Sequence, residues 1–160
     1  MNNPLISDSS LAYEAIDFNA IKVEHFLPAL KHSISEAKTN LDKIKQQNEI
    51  DFDTILLAEE TASDRLDIVS NIFCALYSSH CTDELSEISQ EFNSQITSYS
   101  SDVSLDAELF KKINQLYQQA PRLVEQGEAV VSTDELTGVQ ALERKHETLP
   151  MKAGIVEYQE

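Results

Sequence analysis

The sequence has little of what a β-rich or exported protein needs. Its three glycines all lie after residue 126, and four prolines and two cysteines are spread over 160 residues. Sheets usually require glycine in their turns, so a long stretch without it fits helices joined by short polar connections better. The first residues show neither the basic nor the apolar part of a secretory signal. Cys74 and Cys81 are therefore expected to be reduced and partly buried thiols.

Positive charge is also scarce. Lysine and arginine number 12 against 28 acidic residues, which gives a formal net charge of −16. A nucleic-acid partner is not expected, because a phosphate-binding surface needs clustered cations. An anionic membrane surface is disfavoured for the same reason, and no apolar run approaches the ~20 residues that span a bilayer. The composition predicts an acidic cytoplasmic protein whose molecules are kept from associating by the repulsion between their negative charges.

Helical periodicity is the main positive signal. The hydrophobic fraction of 41% suits a single domain with its own core. Apolar residues recur at steps of three and four, which traces one stripe along each helix. Such stripes must bury against one another, so the predicted fold class is all-α, an antiparallel bundle of long amphipathic helices. The stripes are Leu30-Ile34-Ala37-Leu41-Ile44, a second from Ile55 to Leu76, a third from Leu85 to Val103 and a fourth from Leu109 to Tyr117.

The same pattern divides the chain into three segments. Residues 1–20 are predicted to be an extended lead-in that docks through Ile16 and Phe18. Residues 21–119 form the helical bundle. Residues 120–160 carry an additional helix or helices and a loose tail, and the capping box Ser132 to Glu135 opens one of them.

The first helix admits two interpretations. It begins near residue 22 and bends at Pro28 about two turns later, or a short first segment breaks at Phe26-Leu27. The later helices have clearer beginnings, because short polar side chains can accept bonds from the first free backbone N–H groups. The predicted N-caps are Asp51 or Asp53 for the second helix and Thr82 for the third.

The histidines and cysteines do not make a convincing metal site. His25 and His32 are seven residues apart, which is ~10 Å along a helix, whereas zinc ligands lie ~2 Å from the ion. Cys74 and Cys81 are also about two turns apart, so a site with His80 would require the helix to unwind. A phosphorelay histidine on a helical bundle is a conceivable role for His25, His32 or His80, but such sites usually have small or basic neighbours, and Pro28 near His25 argues against that role.

Known catalytic motifs are missing or incomplete. His146 and Glu147 match the first two positions of the zinc-peptidase motif H-E-x-x-H, but the fifth position is Pro150, which has no ligand atom and ends a helix. There is no G-x-S-x-G nucleophile elbow and no phosphate-binding G-x-x-x-x-G-K-[ST] loop. We therefore assign no catalytic, cofactor-binding or metal-ligating residue, and expect no cofactor in this chain.

Several phrases, in order, resemble the thimet oligopeptidase family of zinc metallopeptidases. Those proteins open with an N-P-[LF] element, followed by F-x-x-I-K-x-E-H-[FVY]-x-P-A-[LF]. The chain has Asn3-Pro4-Leu5 and then Phe18 to Leu30 in that form. The likeness extends to about residue 118 and also covers the oligopeptidase A and dipeptidyl carboxypeptidase branches. Its later phrases are Phe52-Asp53-Thr54, Ile72 to Leu76, Thr82 to Leu85, Asp106 to Phe110 and Ile113 to Tyr117.

This resemblance implies a non-catalytic part of such an enzyme. The zinc site of the family lies far beyond the region covered, so no catalytic residue can be assigned here. The family's N-terminal helices form one wall of a channel that admits short peptides. The resemblance thus implies a fragment, the N-terminal helical domain of a peptidase, with zinc in the parent enzyme and a catalytic domain or short peptides as partners. A stand-alone acidic helical interaction module is the alternative.

Beyond about Gln119 the likeness ends. Residues 126–148 resemble a spectrin-type repeat, which often carries the pattern D-L-x-x-V-Q-x-L-x-x-K-H. This second likeness is short, and it indicates a divergent, truncated or composite chain.

Overall fold

Four long helices make up most of the described part of the chain. The structure, a computed structural model, describes residues 3–7 and 11–127, and within these ranges it contains helices and no strand. The all-α prediction is confirmed. The helices are α1 (Phe26–Gln46), α2 (Asp64–Ser79), α3 (Asp83–Ser104) and α4 (Ala107–Glu125), with short 3-10 turns at Ala12–Glu14 and Val23–His25, a π-helical segment at Phe52–Leu57 and one α-helical turn at Ala58–Glu60.

The central helix is α1. Pro28 is its third residue, where the missing backbone N–H is one of the donors that a helix start leaves free. The 3-10 turn leads directly into α1, and His25 and Phe26 both have right-handed helical backbone angles. The expected helix start near residue 22 is therefore confirmed and the break at Phe26-Leu27 is wrong, whereas the bend at Pro28 stays a prediction. The other three long helices each contact α1 and together bury one of its faces. The buried residues of this face are Phe26, Ala29, Leu30, Ser33, Ala37, Leu41 and Ile44.

The contacts of α1 fix the direction of its neighbours. Phe26 at the beginning of α1 meets Phe73 late in α2, whereas Glu36 pairs with Arg65 at the beginning of α2. These two helices are thus antiparallel. Lys31 pairs with Glu91 and, farther along α1, Lys38 pairs with Asp102, so α1 and α3 run in the same direction.

The core consists of two clusters of buried side chains. The larger one joins the first half of α1 to α2, α3 and the amino-terminal Leu5, and it includes three phenylalanines in mutual contact. The smaller one lies at the far end of α1, where α4 and the π-helical segment meet it. The second cluster comprises Leu41, Ile44, Ile55, Ala62 and Leu109.

The second stripe is not one continuous helix. The π-helical segment and a single α-helical turn are followed by non-helical residues at 61–63 before α2 begins. Thr61 Oγ1 donates to the carbonyl of Leu57 at 2.8 Å, the kind of local bond with which Thr competes with regular helix geometry. Both predicted caps form: Asp51 Oδ1 accepts from the Thr54 N–H at 2.7 Å, and Thr82 Oγ1 accepts from the Leu85 N–H at 3.2 Å.

The lead-in docks through other residues than expected. Ile16 and Phe18 are 42% and 50% exposed, so the prediction that they pack on the helices is wrong. Asn3 and Leu5 are buried instead. The fourth helix continues past residue 119 to Glu125, with Pro121 inside it. The expectations for residues 128–160, including the Ser132 capping box and the spectrin-like stretch, lie outside the described residues, and the division into three segments stays a prediction.

Candidate functional site

His25 has a structural role at the beginning of α1. Its Nδ1 accepts a hydrogen bond from the backbone N–H of Lys22 at 3.0 Å, which closes the 3-10 turn before the helix. Its carbonyl oxygen accepts from Asn3 Nδ2 at 2.8 Å. His32 is exposed on α1 and has no such contact among the described residues. Of these two histidines, His25 therefore stabilises the local fold, and His32 lies at the surface.

The two thiols lie at the surface. Cys74 and Cys81 are both free and exposed, so the prediction of partly buried cysteines is wrong. Cys74 follows the buried Phe73, and one residue turns a helix by about 100°, which carries Cys74 off the buried face. Within residues 3–7 and 11–127, no group of three or more His, Cys, Asp or Glu side chains could hold a metal ion. These residues do not fit the zinc that the resemblance implies, and His146, Glu147 and Pro150 lie outside them.

Asn3 fastens the amino-terminal segment to the bundle. While its Nδ2 donates to the carbonyl of His25, its Oδ1 accepts from the N–H of Leu5 at 3.0 Å. Asn3 is 8% exposed, and both the amide nitrogen and the amide oxygen of its side chain form hydrogen bonds within the fold. This places Leu5 in the larger core cluster beside Phe26. The Asn3-Pro4-Leu5 phrase therefore has a packing function.

Arg65 joins three pieces of chain at the edge of a cleft. Its Nε donates to Glu36 Oε2 at 2.8 Å, and its Nη1 donates to the carbonyl of Ile6 at 3.0 Å. The cleft, of about 770 Å³, lies between the amino-terminal segment, α1 and the beginning of α2. Ser33, 1% exposed, also lines it, and its hydroxyl has no hydrogen-bond partner among the described residues. Arg65 and Glu36 pair with each other, so they hold the amino-terminal segment in place at this edge.

A second polar cluster connects α1 to the beginning of α4. Lys45 Nζ lies 2.8 Å from Asp106 Oδ2 and 2.8 Å from Asp42 Oδ1. The hydrogen bond from Lys45, followed by the bond from the Leu109 N–H, holds the pKa of Asp106 below its usual value. The bonds to Asp106 and then Asp42 raise the pKa of Lys45 well above its usual range. Lys45 and Asp106 therefore stay charged at neutral pH and hold α1 against the beginning of α4.

Sequence reasoning missed the Asn3 and Arg65 contacts because each joins residues far apart in the chain. The separations are 22 residues for Asn3 to His25 and 29 for Arg65 to Glu36. A signal for the first was present, since Asn3-Pro4-Leu5 and Phe18 to Leu30 belong to the same family pattern.

No described helix is apolar over a length sufficient to cross a membrane.

Comparison with known proteins gives two similar curated sequences. The dipeptidyl carboxypeptidase of Salmonella typhimurium (strain LT2) is 30% identical over 118 residues, which is 73% of this chain and 17% of that protein. The dipeptidyl carboxypeptidase of Escherichia coli (strain K12) is 27% identical over 122 residues, or 76% of this chain and 18% of that protein. No protein-family model matches the chain.

The ordered motifs, the helical body and these two matches define the amino-terminal helical region of a peptidase family. The chain belongs to the dipeptidyl carboxypeptidase family and corresponds to the N-terminal region of its members, as the resemblance predicted. The chain spans less than a fifth of the length of these curated relatives, namely 17% and 18%.

Proposed function

We propose that this chain is the non-catalytic N-terminal helical domain of a thimet-oligopeptidase-like zinc metallopeptidase that cleaves short peptides in the cytoplasm. One observation carries the proposal: the similarity to two dipeptidyl carboxypeptidases covers 73% and 76% of the chain. The hydrogen bonds of Asn3 to the carbonyl of His25 and the N–H of Leu5 support it, because they bring two of the family phrases into contact.

The chemistry of the side chains favours a supporting role over a catalytic one. A peptidase zinc site of the H-E-x-x-H kind needs two imidazoles one helical turn apart and a glutamate as general base. His25 binds backbone groups, His32 is exposed, and His80 follows the last residue of α2. We assign the zinc of such an enzyme to polypeptide outside the described residues and give these residues no step in the hydrolysis.

The first test uses the purified chain alone. A quenched fluorescent peptide should show no cleavage that a chelator suppresses, and elemental analysis should show far less than stoichiometric zinc. Cleavage that disappears on adding chelator, together with zinc near one per chain, would contradict the non-catalytic assignment.

The second test asks whether the chain completes an enzyme. The Salmonella typhimurium dipeptidyl carboxypeptidase is expressed without its matched N-terminal segment, together with the full 160-residue chain. We expect peptidase activity to be restored, and the relative's own N-terminal segment, added in the same way, is the positive control. If that control restores activity and this chain neither binds nor restores it, the proposal fails.

The alternative is a stand-alone acidic helical module that binds other proteins. The net charge of −16 and the large apolar side chains exposed on α4 favour it. The two functions differ in outcome: a module would bind a partner without any gain of peptidase activity, whereas an enzyme domain restores activity in the second test.

A further inference from the structure

The cleft beside the amino-terminal segment has apolar side chains exposed on two of its walls. Its volume of about 770 Å³ lies within the range of about 300–1,000 Å³ that is typical of small-molecule sites. Ile16 on the amino-terminal segment and Ile68 on α2 both line it and are 42% and 51% exposed. Isoleucine is usually buried, so these two side chains give the cleft an apolar surface that the described residues leave uncovered.

Each of these two walls also carries a carboxylate. Asp17 follows Ile16 directly, and Asp64 lies four residues before Ile68, which places those two side chains on the same side of α2. Neither carboxylate forms an ion pair within the described part of the chain. Arg65, the basic side chain among the described lining residues, is already paired with a glutamate of α1. The cleft therefore has an excess of negative charge.

A buried hydroxyl without a partner belongs to the same cleft. Ser33 on α1 is 1% exposed and lines the cleft, and its Oγ has no hydrogen-bond partner among the described residues. Other helical hydroxyls, those of Thr39, Ser70 and Ser101, each donate to the carbonyl four residues earlier. An unpaired buried polar group costs free energy, so the Ser33 hydroxyl indicates a missing partner, such as a water molecule or a ligand.

We propose that this cleft binds a small organic cation, namely a protonated primary amine joined to an apolar group. The carboxylates of Asp17 and Asp64 bind the ammonium group, which has three N–H donors and a full positive charge. The apolar group contacts Ile16 and Ile68, and the Ser33 hydroxyl accepts a further hydrogen bond, directly or through a water molecule. The amino terminus of a short peptide and a free organic amine both present this chemistry. This inference goes beyond the proposed function and does not depend on it.

The binding test uses the full chain and three probes, namely leucyl-leucine amide, its N-acetylated form and 3-methylbutylamine. The acetylated form keeps the apolar groups and lacks the positive charge. We expect an amine probe to bind roughly tenfold more tightly than the acetylated form and to shift the amide NMR signals of Ser33 and Ile68. Equal binding of leucyl-leucine amide and its acetylated form, or no binding of any probe, would overturn the proposal.

The two amine probes distinguish the sources of the ligand. Tighter binding of leucyl-leucine amide would support the amino terminus of a short peptide as the ligand. Binding of 3-methylbutylamine that is equal or tighter would support a free organic amine. Both results agree with the proposed amine site.

The carboxylates are tested with the amine probe that binds more tightly. The double variant Asp17→Asn/Asp64→Asn should weaken its binding roughly tenfold or more. The matched control, Asp53→Asn/Asp83→Asn, makes the same change in net charge at exposed positions that do not line the cleft, and it should leave the affinity unchanged. Equal losses in both variants would show that only the overall charge of the chain attracts the amine, and would overturn the proposal.

Ser33→Ala tests the buried hydroxyl. The variant should weaken binding of the same amine probe several-fold. The midpoint of urea unfolding should stay the same or rise, because the hydroxyl has no partner to lose. Unchanged affinity, or a fall in the midpoint, would contradict the role that the proposal gives to Ser33.

A thiol test shows whether the chain itself fills the cleft. Ile68→Cys is combined with Cys74→Ser and Cys81→Ser, so that the introduced thiol is the single one in the chain. This thiol should react rapidly with a thiol reagent, and the amine probe should slow the reaction. A reaction as slow as that of a buried thiol in the absence of the probe would show that the chain covers the cleft, and would overturn the proposal.

Discussion

Phe73 of α2 and Phe92 of α3 stack face to face, with ring centroids 3.9 Å apart and an interplanar angle of 14°. Phe26 of α1 meets both rings edge-on, at 79° and 82°. Each ring is at most 2% exposed, so three helices contribute one aromatic side chain each to a common dry contact. Edge-on and stacked aromatic pairs add to the free energy of burial, which makes this contact the centre of the larger cluster.

Phe73→Ala should therefore lower the free energy of unfolding strongly. Removing a buried phenylalanine ring costs ~3–5 kcal/mol, because the transfer free energy is lost and a cavity remains between α1 and α3. Urea unfolding followed by circular dichroism measures the loss. A value below ~1 kcal/mol would mean that Phe73 is not in the core. Phe110→Ala is the matched control, since Phe110 is 69% exposed and its removal should change stability by less than ~0.5 kcal/mol.

The position of Phe73 could be predicted because helical periodicity is a local signal. The spacing of three and four that links Val69, Phe73 and Leu76 is visible in any short window, and Val69 and Phe73 are buried. Local capping chemistry was equally readable at Asp51 and Thr82, where a side-chain oxygen reaches a backbone N–H three residues on.

Other features could not be read from spacing. The apolar residues from Ile55 into α2 keep the same spacing of three and four, although the helix itself is interrupted between Thr61 and Ser63. Burial of Asn3 and the contact of Arg65 with Glu36 depend on how distant segments approach, and a single sequence carries little information about that. The exposure of Ile16 and Phe18 could not be predicted for the same reason, because apolar character alone does not show which part of an amino-terminal segment packs on the helices.

Asn3→Ala should loosen the amino-terminal segment. The substitution leaves the carbonyl of His25 and the N–H of Leu5 without their side-chain partner, and lost hydrogen bonds of this kind cost about 1–3 kcal/mol. Hydrogen exchange of the Leu5 amide should accelerate, and the midpoint of urea unfolding should fall. Asn19→Ala is the control, because Asn19 is exposed and only its backbone N–H is bonded, to Asp17. Unchanged exchange at Leu5 would show that the Asn3 side chain does not hold the segment.

Both cysteines should react in the native protein. Cys74 and Cys81 are free and exposed, so a thiol reagent such as Ellman's reagent should titrate two thiols per chain without denaturant. The native rate should approach the rate in urea. The single variants Cys74→Ser and Cys81→Ser should each leave one reactive thiol. A thiol that reacts only after unfolding would contradict the surface position of that cysteine.

Asp106→Asn should make stability less dependent on pH in the acid range. Asn can still cap α4, so the variant mainly removes the ion pair with Lys45, which is worth roughly 1 kcal/mol at a partly exposed site. The pKa of Asp106 is lower in the folded than in the unfolded chain, so its contribution is present above pH ~3.9 and is lost as the pH falls through the folded value. Urea unfolding should thus show a lower free energy of unfolding for the variant at pH 7, and the two values should converge as the pH falls below the folded pKa of Asp106.

Asp102→Asn is the control, because it breaks a more exposed pair with Lys38 at the same 2.8 Å distance and should have the smaller effect. A difference between wild type and Asp106→Asn that persists unchanged to low pH would show that the carboxylate charge does not provide the stability.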